Sequence, residues 1–516
     1  MMIRNTWMRK IGLLCSVMVI GAWNYSGATP VTNPKPTPVK KPNFIVIVGE
    51  GHGWSSTSVS MDDGRKDAKA PHTLTPNLAK LSSQGMRMSS FYASCPRCTP
   101  SRASFFTGVS PTKLHMTYVN EGGGQKGRGG DPQSVAPDSV NTKLLPPTPI
   151  MSFPNGTKTV GDVLRDAGYK TAHFGKWHVG RLDPKTSGFD ESDGPNTNSG
   201  PGNNRTPNPG EAKHITDEGI AFIEKSIKEG KPFYLHVDHY GGGSQAEVTP
   251  ETYKMVSEMY PNSREKELSL SGVMHDMDIQ IGRLMEKIDD LGLADNTYIV
   301  YTADHGTQGN ANRPLSRGKG SVLEGGIRIP MIVRGPGIKP GSTSSVRAIG
   351  WDLLPTFASI SGAKIPEAVE GGSLAGVWKG ETSLTRPASE FVIHFPHYDL
   401  GNGGPASAIY DKEYKLFRSY ETGNSSLFNI IVDPEESKDL AKSQPAKVAE
   451  LEKRLETYLK SVNAQMPSPN PNFKPENATD PNSQQGGKGG RGGNGGGKGG
   501  GKGKGKGNGG GGGGGH

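Results

Sequence analysis

The sequence predicts an α/β fold: a large, mostly parallel sheet flanked by helices, plus a smaller C-terminal antiparallel sheet packed with one helix. Three observations carry that expectation. Unbroken apolar runs of strand length, such as Asn43 to Val48, mark strands buried on both faces. These runs alternate with helical stretches through most of the chain, which is the pattern of helices crossing over a parallel sheet. After about Pro387 the pattern changes to short strands separated by turns and closed by a single helix.

Taken in order, residues 1–28 read as an export signal. Arg4, Arg9 and Lys10 form a basic start, Ile11 to Trp23 an apolar stretch, and Ser26-Gly27-Ala28 a small-residue cleavage site. The apolar stretch is short and glycine-interrupted for a membrane span, a retained anchor being the alternative. The expected location is therefore secreted or periplasmic. Residues 29–41 form a Pro/Thr-rich linker, and 42–386 the main domain. Within it, Thr75-Pro76 opens a helix through Gln84, Val160 to Ala167 is a helix stopped at Gly168, and Lys170 to Phe174 is a strand. His214 to Lys228 is a helix leading into the strand Pro232 to Val237. From about Arg264 to Leu291, Val273, Met277, Ile281, Leu284 and Ile288 recur at helical spacing, and Thr297 to Thr302 is another buried strand. Residues 387–466 form the small C-terminal unit, with strands Glu390–Phe395, Ala406–Tyr410, Tyr414–Ser419 and Ser426–Ile431 and the helix Pro445–Val462. Gly122–Gly130 and Asn196–Gly210 read as surface insertions, and 467–516, glycine-dominated from about Gln485, as a disordered tail.

The formal charge is +9, but Lys488, Arg491, Lys498, Lys502, Lys504 and Lys506 lie in the tail and three more cations in the leader. The remainder is near neutral. Basicity belongs to a flexible arm, which argues against specific nucleic-acid recognition and allows only weak polyanion contact. Past the leader only Cys95 and Cys98 remain, so the fold rests on a large core and not on a disulfide framework.

Ligands of open α/β sheets gather at the carboxyl ends of strands. Glu50, Lys176, His178, His239, Asp304 and His305 fall at such ends. Between the first two strands runs CTPSRASFFTG, Cys98 to Gly108. Pro100 suits the first turn of a helix and Gly108 the position just past its end. Cys98 then sits at a helix N-terminus beside unpaired N–H donors, with Arg102 offering a fork that matches tetrahedral oxyanions. Cys95 and Cys98 also spell CPRC, open to a redox or structural reading, though a thioredoxin-like site would need a small βαβ setting absent here.

CTPSRASFFTG resembles the signature of the type I sulfatases, within the alkaline-phosphatase-like superfamily. GKWHVG (Gly175–Gly180), TADHG (Thr302–Gly306), GKGSVLEGGIRIP (Gly318–Pro330) and LFNIIVDPEESKDLA (Leu427–Ala441) resemble further elements of that family in the same order. The resemblance covers roughly Asn43 to Pro469. It implies a sulfuric ester hydrolase in which Cys98 is oxidised to formylglycine by a sulfatase-maturating enzyme, the hydrated aldehyde attacking sulfur. It further implies Arg102, Lys176 and His178 as catalytic residues, Lys319 and His239 as substrate ligands, and Glu50, Asp304 and His305 as ligands of a divalent metal, Ca²⁺ in the family. The likeness to arylsulfatases and N-acetylgalactosamine-6-sulfatase-like enzymes implies sulfated carbohydrate or aryl sulfate substrates. Three fixed cations suit a sulfate monoester, whose oxygens must be held while charge moves to the leaving group.

Two departures stand out. Where the family's first strand usually ends in two aspartates, this chain has Glu50-Gly51; Asp62 or Asp63 is a candidate for the lost oxygen, against a plain turn. In PFYLHVDHYGGGS the histidine expected as sulfate ligand and acid falls at Gly243, leaving His239 four residues earlier, on a strand whose alternation can turn it away. His305 is also softer than Ca²⁺ prefers, which leaves other divalent ions open. The competing readings are a phosphoester or phosphonate hydrolase of the same superfamily, and a non-catalytic sulfoglycan-binding homologue.

Overall fold

The computed structural model describes residues 41–119, 141–180, 183–195, 210–241, 248–307, 312–387, 390–399 and 404–478. The leader, nearly all of the linker, the first insertion, residues 196–209 of the second, residues 479–516 of the tail and Gly243 lie outside the described residues; residues 467–478, expected as part of the disordered tail, are described and include a short strand paired with Leu144–Leu145.

In chain order, β1 (Asn43–Gly49) leads to α1 (Pro76–Gln84), β2 (Met86–Met88), β3 (Phe91–Tyr92), α2 (Cys98–Thr107), α3 (Pro111–Leu114) and β4 (Leu144–Leu145). Then come α4 (Val160–Asp166), β5 (Lys170–Gly175), β6 (Glu191–Ser192), α5 (Gly210–Lys228), β7 (Phe233–His239), α6 (Pro250–Met259), α7 (Glu265–Asp290) and β8 (Thr297–Ala303). The main domain closes with α8 (Glu324–Ile327), β9 (Arg328–Ile329), β10 (Met331–Arg334), β11 (Ser342–Ser344), β12 (Ala348–Ile349) and α9 (Leu353–Ser361). The C-terminal part holds β13 (Phe391–Phe395), β14 (Ala406–Asp411), β15 (Tyr414–Ser419), β16 (Ser425–Asn429), α10 (Pro445–Ser461) and β17 (Ser468–Pro469).

The central sheet has eight strands in the order β11-β2-β10-β8-β1-β7-β5-β6. From β8 through β6 the pairings are parallel, as expected; β10 runs antiparallel to β8 and carries β2 and β11 at the far edge. Sequence patterning missed that edge because these strands are three or four residues long. Alternation along β1 builds two cores: Phe44, Val46 and Val48 face one, and Ile45 and Ile47 the other. The first core takes in Phe106, Trp177, Phe189 and Phe357; the second takes in Phe222, Ile281, Leu284 and Tyr301. Each such apolar side chain contributes roughly 1.5–3 kcal/mol by leaving water.

β13 to β16 form the separate antiparallel sheet. One face packs Val392, Ile409, Leu416 and Leu427 on Leu451, Leu455 and Leu459 of α10. The other packs Phe391, Ile393, Ala408 and Tyr410 against Tyr92, Trp351 and Val322 of the main domain.

Candidate active site

The carboxyl ends of β1, β5, β7 and β8 lie side by side, and α2 begins above them. Arg97 has extended backbone, Ser101 N–H bonds its carbonyl at 3.2 Å, and the helix runs from Cys98 until Gly108 adopts φ 69°. Left-handed backbone there suits glycine, and its N–H closes on Ser104 O at 3.0 Å. The helix reading of this segment therefore holds. Cys98 and Cys95 are both buried, unpaired thiols.

Cys98 Sγ stands 3.1 Å from His305 Nε2 and 3.7 Å from Lys176 Nζ. His305 Nδ1 lies 2.9 Å from Gly306 O, so it carries its proton there and turns Nε2 to the sulfur. The His178 side chain also bonds the sulfur, and Thr99 Oγ1 anchors the His178 carbonyl at 2.7 Å. His178 has φ 51°, a left-handed conformation held by this local packing. Burial pushes the Cys98 thiol up, but Lys176, Lys319 and His305 more than offset it and hold the thiol well below its ordinary range.

Arg102, one turn along α2, is buried, and its hydrogen bonds correct one expectation. Nη1 donates to Lys176 O and to Asp238 Oδ1, each at 2.6 Å; Nε and Nη2 donate to Asp304 Oδ2 at 3.2 and 3.0 Å. Four of the five guanidinium N–H groups are thus committed. The fork is turned to two carboxylates, leaving at most one donor for an oxyanion. What Arg102 brings to the pocket is fixed positive charge.

Lys176 is fully buried and its ammonium pairs with Glu50 Oε1; Glu50 Oε2 accepts from Gly241 N–H at 3.0 Å. Burial raises the Glu50 carboxyl, yet Lys176 and Lys319 bring it down to about 2. Lys319 N–H bonds Thr307 O at 3.0 Å, and Cys98 and Glu50 act electrostatically on its ammonium.

Ligand atoms of Asp304, His305 and Cys98 lie within 4.8 Å of one another. Asp304 Oδ1 accepts from Gly51 N–H at 2.8 Å and keeps a further lone pair, whereas Oδ2 accepts from both Nε and Nη2 of Arg102. Gly51 sits at φ +65°, and a Cβ there would stand 3.3 Å from His305 Cε1, so no second carboxylate enters beside Glu50. The residues fit a divalent ion through mixed oxygen and nitrogen donors, fewer oxygens than the six to eight that Ca²⁺ usually takes. Asp62 and Asp63 do not supply the missing one. Asp62 closes a turn on Gly64 N–H at 2.9 Å, and Asp63 pairs with Arg87 at 2.7 Å.

His239 is not brought to this group. Alternation along β7 turns Phe233, Leu235 and Val237 to the second core and Tyr234 to the first, so His239 faces opposite to Asp238. Its Nε2 meets Thr216 of α5 at 3.0 Å. Sequence reading missed three residues: Asp238, His173 and His236. Their signal was available, since polar residues two apart in a strand buried on both faces need partners.

The Sulfatase family model matches residues 42–363, and the one described as N-sulphoglucosamine sulphohydrolase, C-terminal, matches residues 318–465. A sulfatase of Formosa agariphila is 25% identical over 79% of this chain and 86% of its own length. Human N-acetylgalactosamine-6-sulfatase is 26% identical over 69% of this chain and 71% of its own. A crystal structure of Ps i-CgsB in complex with k-i-k-neocarrahexaose superposes with a TM-score of 0.65 and 23% identity, covering 81% of this chain and 93% of that one.

Proposed function

Because this chain belongs to the sulfatase family and is a sulfuric ester hydrolase, we propose that it removes sulfate from sulfated carbohydrates through Cys98, converted after translation to formylglycine. The observation that carries the reading is the setting of Cys98: a helix N-terminus, with Lys176 Nζ at 3.7 Å and His305 Nε2 at 3.1 Å. A hydrated formylglycine supplies a nucleophilic hydroxyl at this point. A divalent ion, when bound by Asp304 and His305, supplies Lewis-acid polarisation, while Glu50, expected as a third ligand, is instead engaged by Lys176 and the Gly241 N–H.

The chain's own residues do the rest. Lys176 and Lys319 hold the sulfate oxygens, and their charge offsets what builds up on the ester oxygen as the bond breaks. Burial first, and then Lys176, lowers the His178 pKa, so its imidazole is neutral near pH 7 and able to take the proton of the attacking hydroxyl. Arg102 sets the potential of the site from below and holds Asp304 in place. Carbohydrate as substrate is supported by the names of the human relative and of the bound Ps i-CgsB complex. The basic, apolar and small-residue pattern of 1–28 supports export, and a sulfatase-maturating enzyme is then a required partner.

Parallel hydrolysis of 4-nitrophenyl sulfate and 4-nitrophenyl phosphate by the matured, exported protein tests the reading. The sulfate is expected to be turned over faster; faster release from the phosphate would overturn the assignment in favour of a phosphoester hydrolase.

A further inference from the structure

Arg102 reaches the reaction only as well as it is held, and its holding is asymmetric. On one side stands Asp304, whose Oδ1 is also offered to a metal. On the other stands Asp238, which has no such second duty and is fully buried on β7. Asp238 divides its two oxygens. Oδ1 accepts from Arg102 Nη1 at 2.6 Å, while Oδ2 lies 2.9 Å from His173 Nε2 and 3.1 Å from His236 Nε2. Tyr234 O–H donates to His236 Nδ1 at 2.9 Å, which leaves the proton of that ring on the nitrogen facing Asp238. The two imidazoles stack with centroids 5.4 Å apart, enclosed by Phe106, Trp177 and Phe189.

A buried carboxylate hydrogen-bonded to one guanidinium and one imidazole, with a second imidazole nitrogen 3.1 Å away, is expensive to assemble and rigid once formed. Burial alone would raise its carboxyl; Arg102 and the two histidines hold it well below the usual range. Ligand atoms of Asp238, His173 and His236 also lie within 4.8 Å of one another, as metal ligands do. A divalent cation there would face Arg102 across a single carboxylate, so like charges oppose that use.

We propose that Asp238, backed by His173 and His236, is a positioning residue for ester hydrolysis. It fixes the guanidinium of Arg102 one turn behind Cys98, so that the arginine lends charge to the reacting centre without gripping the substrate. This rests on the sulfatase reading above. Charge that matters at the transition state alone shows in kcat and not in KM.

The test uses full-length matured protein, with conversion of residue 98 quantified by peptide mass in every sample. In Asp238→Asn, kcat for 4-nitrophenyl sulfate is expected to fall by roughly 10- to 100-fold while KM stays within about threefold of wild type. An unchanged kcat at equal conversion would overturn the proposal. Should Asp238→Asn fail to fold, the pair His173→Gln and His173→Leu decides. Gln can still donate an N–H to Asp238 and is expected to retain several-fold more kcat than Leu; equal values would mean that His173 only fills space and would overturn the proposal. A wild-type protein inactive on 4-nitrophenyl sulfate would speak against the sulfatase reading instead. The crystal structure of Asp238→Asn then decides the present point, since an unmoved Arg102 guanidinium contradicts it and a displaced one supports it.

Discussion

Cys98 is buried, yet it is ringed by Lys176, Lys319 and His305, and that combination has no purpose in packing. Cys98→Ala is expected to abolish hydrolysis while leaving the urea-unfolding midpoint close to wild type, because the thiol anchors no backbone; measurable turnover by this variant would remove the nucleophile assignment. Lys319 belongs to substrate binding in this account. Lys319→Ala should raise KM by about tenfold or more, the worth of a charged hydrogen bond, with a smaller effect on kcat. Steady-state kinetics on a sulfate ester checks it. At this scale the sequence was legible where family motifs supply whole segments: Cys98, Lys176, His178, Asp304 and His305 converge as the motifs imply. It was not legible where direction decides. The residues of α2 do not tell whether the Arg102 fork points to substrate or to carboxylates. Strand alternation put Asp238 and His239 on opposite faces, but which face holds the site follows only from the side on which α2 packs.

Among the elements, the segment from Ser316 to Ile327 shows how the smaller sheet serves the site. Lys415 of β15 is fully buried and pairs with Glu324 at 3.1 Å and with Glu436 at 2.7 Å. Glu436 in turn accepts from Glu324 N–H at 2.7 Å and from the Ser316 hydroxyl, while Tyr92 and Tyr410 donate to Glu324 at 2.8 and 2.7 Å. Lys319 lies between these anchors. Replacing the lysine, as Lys415→Met, strands two buried carboxylates; the expected loss is about 3–5 kcal/mol of stability together with a raised KM, read by denaturant unfolding and kinetics. A stable variant with wild-type KM would show that the C-terminal sheet does not position Lys319. Helices and long strands were readable from periodicity: α7 spans Glu265–Asp290 against an expected Arg264 to Leu291, and α1 ends at Gln84 as expected. The edge strands β2, β10 and β11 were not, since so few residues carry no period and their pairing comes from tertiary contact.

For the molecule as a whole, the buried histidines set the acid limit. Burial pushes His239 and His394 down to about 4 and His397 to about 3, against an unfolded value near 6.5. The folded chain keeps these rings neutral while the unfolded chain protonates them, so stability is full above about pH 6.5 and drains as pH falls toward 4, on the order of a few kcal/mol per ring. The urea midpoint should therefore drop steadily across that window, and a flat profile would contradict it.

The central claim is that this hydrolase works through an aldehyde made from Cys98. Mass analysis of the tryptic peptide containing residue 98, from protein exported by a host with a sulfatase-maturating enzyme and active on a sulfate ester, tests it most directly. The account predicts a peptide in which formylglycine replaces cysteine; an active sample whose peptide carries only an ordinary thiol or a disulfide would contradict it.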